Sequence, residues 1–248
     1  MDKELTEIIA IVDRSASMDS VKGEAIAGFN AFLKKQQESE HGRCLLTYCQ
    51  FNTEYEIIHN GVPIEDIPPL TEKTYVPTGM TALHDAVCRT IDAVGERLAK
   101  TPEEKRPGNV TVVILTDGEE NSSREYSGIY TQQKVKHQTD KYNWSFVFLG
   151  QNVNAFHAGR MLGLDAALPQ HFVGQMRGGA RGQSAAYHVM SDMMVRKRAC
   201  SAGGMSANFT EADKASYTTA LSDTGDVSTG DLPTGGTGET DSGAVQDK

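Results

Sequence analysis

Cysteine, tryptophan and proline are scarce in this chain, and none of its apolar runs is long. Four cysteines, one tryptophan and eight prolines occur among 248 residues. Cys44, Cys49, Cys88 and Cys200 show no CxxC or other metal spacing, which excludes a zinc ribbon or a disulfide scaffold and points to reduced thiols. No stretch approaches the ~20 apolar residues that a membrane span needs. Met1 to Glu7 carries three acids, and only Ile8 to Val12 follow before Asp13. A secretory leader is therefore not expected, and a cytoplasmic protein is. Basic charge is also short, with 24 Lys and Arg against 33 Asp and Glu for a net charge of −9. A phosphate-binding surface shows the opposite balance, so nucleic acid is excluded as a general partner. Apolar residues make up only 38%, so part of the chain should contribute nothing to a core.

What is present is a series of short apolar runs, each followed by a stretch of helical periodicity. Ile8 to Val12 is apolar throughout and predicts a strand covered on both faces. Val21, Ala25, Phe29, Phe32 and Leu33 recur at helical spacing and predict a helix over about 20–37. Cys44 to Phe51 and Tyr55 to Ile58 read as a hairpin turning at Asn52-Thr53-Glu54. Four prolines make the segment from Pro63 to Pro77 irregular. A helix over about 82–99 must stop before Pro102. Val110 to Leu115 is a second apolar strand and Ser127 to Tyr142 a polar helix. Ser145 to Leu149, Ala155 to Leu162 and His171 to Val173 read as strand, helix and short strand, and a Gly-rich loop leads to a last helix over about 183–200. This alternation implies an α/β domain: a doubly wound, mostly parallel sheet, helices on both faces and one antiparallel edge hairpin.

The composition changes near Gly203. Residues 205–248 hold eight acids against two lysines, leaving −6 of the total charge. Thr210-Glu211-Ala212-Asp213 suits the start of one short helix reaching about Leu221. The expected organisation is a domain over 1–203 and an acidic tail over 204–248, mostly disordered because Gly, Thr, Ser and Asp leave little to bury.

Ligands of an open parallel sheet bind beyond the carboxyl ends of its strands. Two such ends carry aspartates here, Asp13 in Asp13-Arg14-Ser15-Ala16-Ser17-Met18 and Asp117 in Leu115-Thr116-Asp117-Gly118. A third element, Thr78-Gly79-Met80-Thr81, precedes the second helix. Together they offer carboxylates and hydroxyls with no thiol or imidazole, the oxygen set that hard cations prefer. Asp13, Ser15 and Ser17 alternate, which places their side chains on one side of an extended loop.

On these residues the sequence resembles the von Willebrand factor type A (vWA) family. Its metal-ion-dependent adhesion site uses Asp-x-Ser-x-Ser, a distant Thr and a distant Asp, matched by Asp13, Ser15, Ser17, Thr81 and Asp117. Gly79 to Ala86 and Leu115 to Gly118 are similar to the bacterial branch, including standalone and phage-like cytosolic members. Ala16 departs from the Gly of many relatives. The resemblance implies a Rossmann-like fold over about 5–200. It implies Mg²⁺, or Mn²⁺ with Ca²⁺ as an alternative, held directly by Ser15, Ser17 and Thr81 and directly or through water by Asp13 and Asp117. It further implies an adaptor or chaperone-like module whose protein partner completes the metal shell with an Asp or Glu, as in systems with AAA+ ATPases, rather than an enzyme. A monomer is expected, with a partner-facing rim drawn from Met18, Met80, His84 and Glu119.

A metal-dependent hydrolase or phosphotransferase is the alternative, with Asp13 as nucleophile or metal ligand and His84 as proton carrier. His84 otherwise reads as a helix-surface residue and Asp85 as a charge favouring the start of its helix. Gly178 to Gly182 lacks either nucleotide fingerprint and reads as a flexible connector, with weak anion binding beside Arg177 as the alternative. Arg196-Lys197-Arg198 reads as a basic patch complementing a helix C-terminus.

Overall fold

The computed structural model describes residues 1–117, 119–150, 155–176, 179–203 and 208–222. β1 (Asp2–Asp13) leads through a 3-10 turn into α1 (Lys22–Gln37), and β2 (Arg43–Phe51) turns into β3 (Tyr55–Pro63). α2 (Leu83–Lys100), β4 (Pro107–Thr116), α3 (Gly128–Tyr142) and β5 (Ser145–Gly150) follow. α4 (Ala155–Met161), β6 (His171–Gln175), α5 (Gly179–Ala202) and α6 (Glu211–Ser222) complete the described chain. The six strands form one sheet in the order β3-β2-β1-β4-β5-β6. All neighbours are parallel except β2 and β3.

Each buried strand supplies side chains to both faces, as continuous apolar runs require. Ile8, Ala10 and Val12 face a cluster completed by Phe29 and Phe32 of α1, Tyr187 and Met190 of α5 and Tyr217 of α6. Ile9 and Ile11 face the opposite cluster, with Leu83, Val87 and Ile91 of α2 and Val135 of α3. The predicted doubly wound sheet with its antiparallel edge hairpin is the observed architecture.

Several boundaries differ from expectation. β1 begins at Asp2 rather than Ile8, because Leu5 and Thr6 pair with Arg43 and Cys44, and Asp2 with Pro107. β3 runs on to Pro63 in an edge position where exposed and half-buried residues alternate, and a proline is tolerated there. Gly179 to Gly182, read as connector, are the first turn of α5; Arg177 and Gly178 lie outside the described residues. The basic patch is not a surface patch: Lys197 and Arg198 are buried and Arg196 pairs with Asp213. α6 packs on the domain through Phe209, just before it, and Tyr217, both buried, so the domain extends past residue 203. Residues 223–248, the larger part of the expected tail, lie outside the described residues.

The chain runs from β1 outward to β2 and β3, then crosses to β4, β5 and β6 on the other side. The strand order therefore reverses between β1 and β4, and a crevice opens at the carboxyl ends of those two strands. Asp13 is the last residue of β1, and Asp117 directly follows β4.

Candidate metal centre

The crevice is built by three loops that hydrogen-bond to one another. The loop after β1 is fixed by Arg14 N–H on the Phe51 carbonyl at 2.7 Å and Ala16 N–H on the Gly79 carbonyl at 3.0 Å. The second loop answers with Thr78 N–H on the Arg14 carbonyl at 2.8 Å. Gly79 sits at φ +74°, and a Cβ there would lie 3.0 Å from Thr53 Oγ1, so this turn needs glycine. The third loop, after β4, is tied to Thr81. Thr81 N–H donates to Asn121 Oδ1 at 2.9 Å, and the Thr81 carbonyl accepts from Asn121 N–H and Ser122 N–H.

Within this frame four of the five predicted oxygen residues are linked directly. Asp13 is fully buried. Its Oδ1 accepts from Ser15 N–H at 2.7 Å and its Oδ2 from Thr116 Oγ1 at 2.5 Å. The Ser15 and Ser17 hydroxyls are 3.0 Å apart, and Ser17 Oγ donates to Asp117 Oδ1 at 2.9 Å. Thr81 is joined through its loop rather than by a direct bond. Ala16, the departure from the family pattern, has an exposed side chain, so its methyl does not crowd the loop.

Burial dominates the electrostatics. It pushes the Asp13 carboxyl up to about 6, against the lowering effect of the Thr116 and Ser15 hydrogen bonds and with a smaller push from Asp117. Burial also raises Asp117, opposed by its bond from Ser17. Two carboxylates are thus held together in a poorly solvated crevice where their charged forms are disfavoured, and a divalent cation would offset that cost. The oxygen spacing fits too. Ligands about 2.1 Å from an octahedral ion lie about 3.0 Å from each other, which matches the contacts among Ser15, Ser17 and Asp117. Among the described residues no group of three or more His, Cys, Asp or Glu forms a metal cluster, so an ion site here depends on hydroxyls.

The surroundings hold residues that motif reading did not single out. Thr116 braces Asp13, and the Tyr75 hydroxyl donates to the Asp13 carbonyl. Thr116 directly precedes Asp117 and was legible as a neighbour; Tyr75 and Asn121 carry no local signal. Asp85 does more than favour its helix. Its carboxylate accepts from the N–H groups of Arg124, Glu125 and Tyr126 at 2.8–3.0 Å. Glu120 accepts from His84 N–H, Ser122 N–H and Ser123 N–H. These bonds lace the loop after β4 onto the start of α2.

The expected rim is only partly at the surface. Met80 is 52% exposed, and Glu119 is exposed as well. Met18 is 3% exposed and packs in the core beside α1. His84 is 8% exposed and lies against the start of α3, where a Cβ on Gly128 would come within 3.3 Å of its Nε2. Burial lowers its pKa, keeping the imidazole neutral, and its Nδ1 has no hydrogen-bond partner among the described residues. Among the described residues no helix is long and apolar enough to cross a membrane.

No protein-family model matches the chain, and no curated protein matches it in sequence. Solved structures match it in fold. The PilB minor pilin from Streptococcus sanguinis superposes with a TM-score of 0.52 at 11% identity, over 77% of this chain and 61% of that one. The manganese-loaded TRAP protein of Plasmodium vivax gives 0.50 at 16% identity, over 75% and 72%. A von Willebrand factor type A protein from Catenulispora acidiphila gives 0.49 at 12% identity, over 80% and 43%. The chain thus spans less than two thirds of the length of two of these three. At such identities the likeness concerns the fold alone. The mixed α/β architecture of this chain, a six-strand sheet with one antiparallel pair and helices around it, is vWA-like.

Proposed function

We propose that this chain is a protein-interaction module whose contact with its partner depends on a divalent cation, Mg²⁺ or Mn²⁺, at the β1–β4 crevice. One observation carries the reading: Asp13, Ser15, Ser17 and Asp117 converge as an all-oxygen cluster at the point where the strand order reverses. Ser15, Ser17 and Thr81 would hold the ion with neutral oxygens, and Asp13 and Asp117 would balance its charge directly or through water. When bound, such an ion supplies a Lewis-acidic position that accepts a carboxylate. The protein's own part is orientation. Thr116 and Ser15 N–H fix the Asp13 carboxylate, and the Asn121 bonds fix the Thr81 loop, so little ordering remains when a partner binds. The exposed Met80 and Glu119 border the crevice and would select among acidic partners by shape and repulsion. The module works by binding, and no step of turnover is assigned to it.

Titration calorimetry with Mn²⁺ on the full chain tests this. One ion per chain is expected, with binding lost in Asp13→Ala and in Thr81→Ala while circular dichroism stays unchanged. Undiminished binding in both variants overturns the site. For a native partner, binding should disappear with EDTA and return with Mg²⁺ or Mn²⁺. Replacing one partner Asp or Glu should then match the effect of Ser15→Ala.

A further inference from the structure

The edge of the sheet beside α1 holds an apolar cavity separate from the crevice. Its volume is about 180 Å³, and Phe29 of α1, Tyr48 of β2, Ile58 and His59 of β3, and Ile67 and Leu70 of the following loop line it. An engineered apolar cavity of about 150 Å³ holds benzene, so this one has room for one aromatic ring or branched aliphatic side chain. β3 ends the sheet and Ile58 is 38% exposed. The outer wall of the cavity is therefore also an outer edge of the molecule.

The walls are fixed in advance. Asn30 of α1 brackets Leu70: its Nδ2 donates to the Leu70 carbonyl at 2.8 Å, and its Oδ1 accepts from Leu70 N–H at 2.7 Å. Gln37 Nε2 donates to the carbonyls of Ile64 and Ile67 at 2.9 and 3.0 Å. Gln50 Nε2 donates to the Tyr48 hydroxyl at 2.9 Å and to the Thr74 carbonyl at 3.0 Å. Between these anchors Pro68 and Pro69 stiffen the backbone. The loop is held open over Phe29 and Tyr48, and a pocket formed in advance needs little ordering when it is filled.

Charge around the cavity selects the occupant. From Phe51 to Thr81 the chain carries Glu54, Glu56, Glu65, Asp66 and Glu72 against one cation, Lys73. Glu54 faces Arg14 at 3.7 Å. The other four acids are exposed and make no salt bridge among the described residues. They sit on the same strand and loop that wall the cavity: Glu56 just before Ile58, Glu65 and Asp66 directly before Ile67, and Glu72 just after Leu70. Burial lowers the His59 pKa, so its imidazole adds no positive charge at pH 7.

We propose that this cavity is a second docking site, which takes one bulky apolar side chain of a partner segment flanked by Lys or Arg. The buried anchor supplies affinity, while the cations meet the acidic rim, which speeds encounter and rejects acidic segments. The site is independent of the proposed cation site, whose partner would be acidic.

The test uses the full chain in EDTA and synthetic peptides that carry paired lysines on either side of a central Leu, Phe, Trp or Ala, with a second set carrying Glu for Lys. By fluorescence anisotropy, at least one bulky anchor should bind about tenfold or more tightly than Ala, and the Glu set should not bind. Ile58→Ser removes the apolar outer wall and keeps the charge, and should weaken the best peptide about five- to tenfold. Glu65→Gln/Asp66→Asn/Glu72→Gln keeps the cavity, and should weaken the same peptide and flatten its dependence on salt. In NMR spectra that peptide should shift the methyl groups of Ile58, Ile67 and Leu70. Equal binding of Ala and bulky peptides shows charge attraction alone and overturns the anchor. Binding of the Glu set, or full affinity in the charge variant, overturns the basic partner. Full affinity in Ile58→Ser, shifts confined to other residues, or no binding by any lysine peptide overturns the site. Free indole that binds as tightly as the Trp peptide assigns the cavity to a small apolar ligand. Self-association that Ile58→Ser abolishes assigns it to a second copy of the chain. Either result overturns the proposal.

Discussion

Lys197 carries its ammonium into the core, 1% exposed, with Nζ 2.9 Å from Ser145 Oγ and 4.4 Å from the centre of the Phe209 ring. Burial is the main cause that lowers its pKa to about 7; neighbouring Arg196 lowers it further, while Asp213 and Cys200 act against the shift. The unfolded chain holds this proton up to the usual lysine range, so between pH 7 and 10 the unfolded state binds more protons and stability rises with pH. Lys197→Met removes that dependence while keeping a side chain of similar length. The variant should be the more stable at pH 7, and the wild type should close the gap by about 1.4 kcal/mol per pH unit above that. Urea midpoints at pH 7.0 and 9.0 check it, and a gap that stays constant would show the ammonium charged in the folded state. This residue also marks a limit of sequence reading. Arg196-Lys197-Arg198 has the composition of a solvated helix end, and only the arrival of Phe209 and α6 over it, set by contacts remote in sequence, turns it inward. Asp13, Ser15, Ser17 and Asp117 were legible for the opposite reason. Asp13, Ser15 and Ser17 are spaced locally, and Asp13 and Asp117 each stand at the end of a continuous apolar run, Ile8 to Val12 and Val110 to Leu115.

Between elements, stability depends on two close approaches that a motif cannot reveal. Gly28 on α1 faces Tyr187 on α5, and a Cβ there would lie 2.2 Å from the ring. Helix propensity favours alanine over glycine by about 1 kcal/mol, but overpacking of a filled core costs about 1–3 kcal/mol. Gly28→Ala should therefore lower the urea midpoint with an unchanged slope; a raised midpoint would mean that α1 and α5 pack more loosely than the structure has them. The second approach is the loop after β4, fastened by the three N–H bonds on Asp85. Asp85→Asn leaves an amide facing donors where a carboxylate accepted them, and should cost about 1–3 kcal/mol. It should also weaken Mn²⁺ binding, because the same loop holds Asn121 against Thr81. Calorimetry and thermal melts on one sample separate the two effects, and a variant with unchanged Mn²⁺ affinity would show that the Asp85 latch does not position the site. The order of strands and helices was readable from periodicity, whereas this fastening was not: its donors are backbone groups, and backbone groups leave no trace in composition. The ends of β1 and β3 escaped for a related reason, since polar residues enter those strands through ladder pairing alone.

At the scale of the whole molecule, the proposed cation site sets stability against binding. Asp13 and Asp117 hold two acidic groups close together where burial disfavours charge on both, a cost that the proposed cation would offset. An ion that binds only the folded chain returns stability in proportion to its occupancy. At a hundredfold excess over its dissociation constant the gain is about 2.7 kcal/mol, or a rise of roughly 5–10 °C in melting temperature for a domain of this size. Asp117→Asn keeps an acceptor for the Ser17 hydroxyl and removes one of the two charges. Without metal it should melt at or above the wild-type temperature, since the crowding of carboxylates is relieved. With Mn²⁺ it should gain little or nothing, and the order of the two proteins should reverse. Differential scanning calorimetry of both, with EDTA and with saturating Mn²⁺, supplies the four melting temperatures. If Asp117→Asn melts well below the wild type in EDTA and still rises with Mn²⁺, then Asp117 holds the fold together and the ion binds elsewhere.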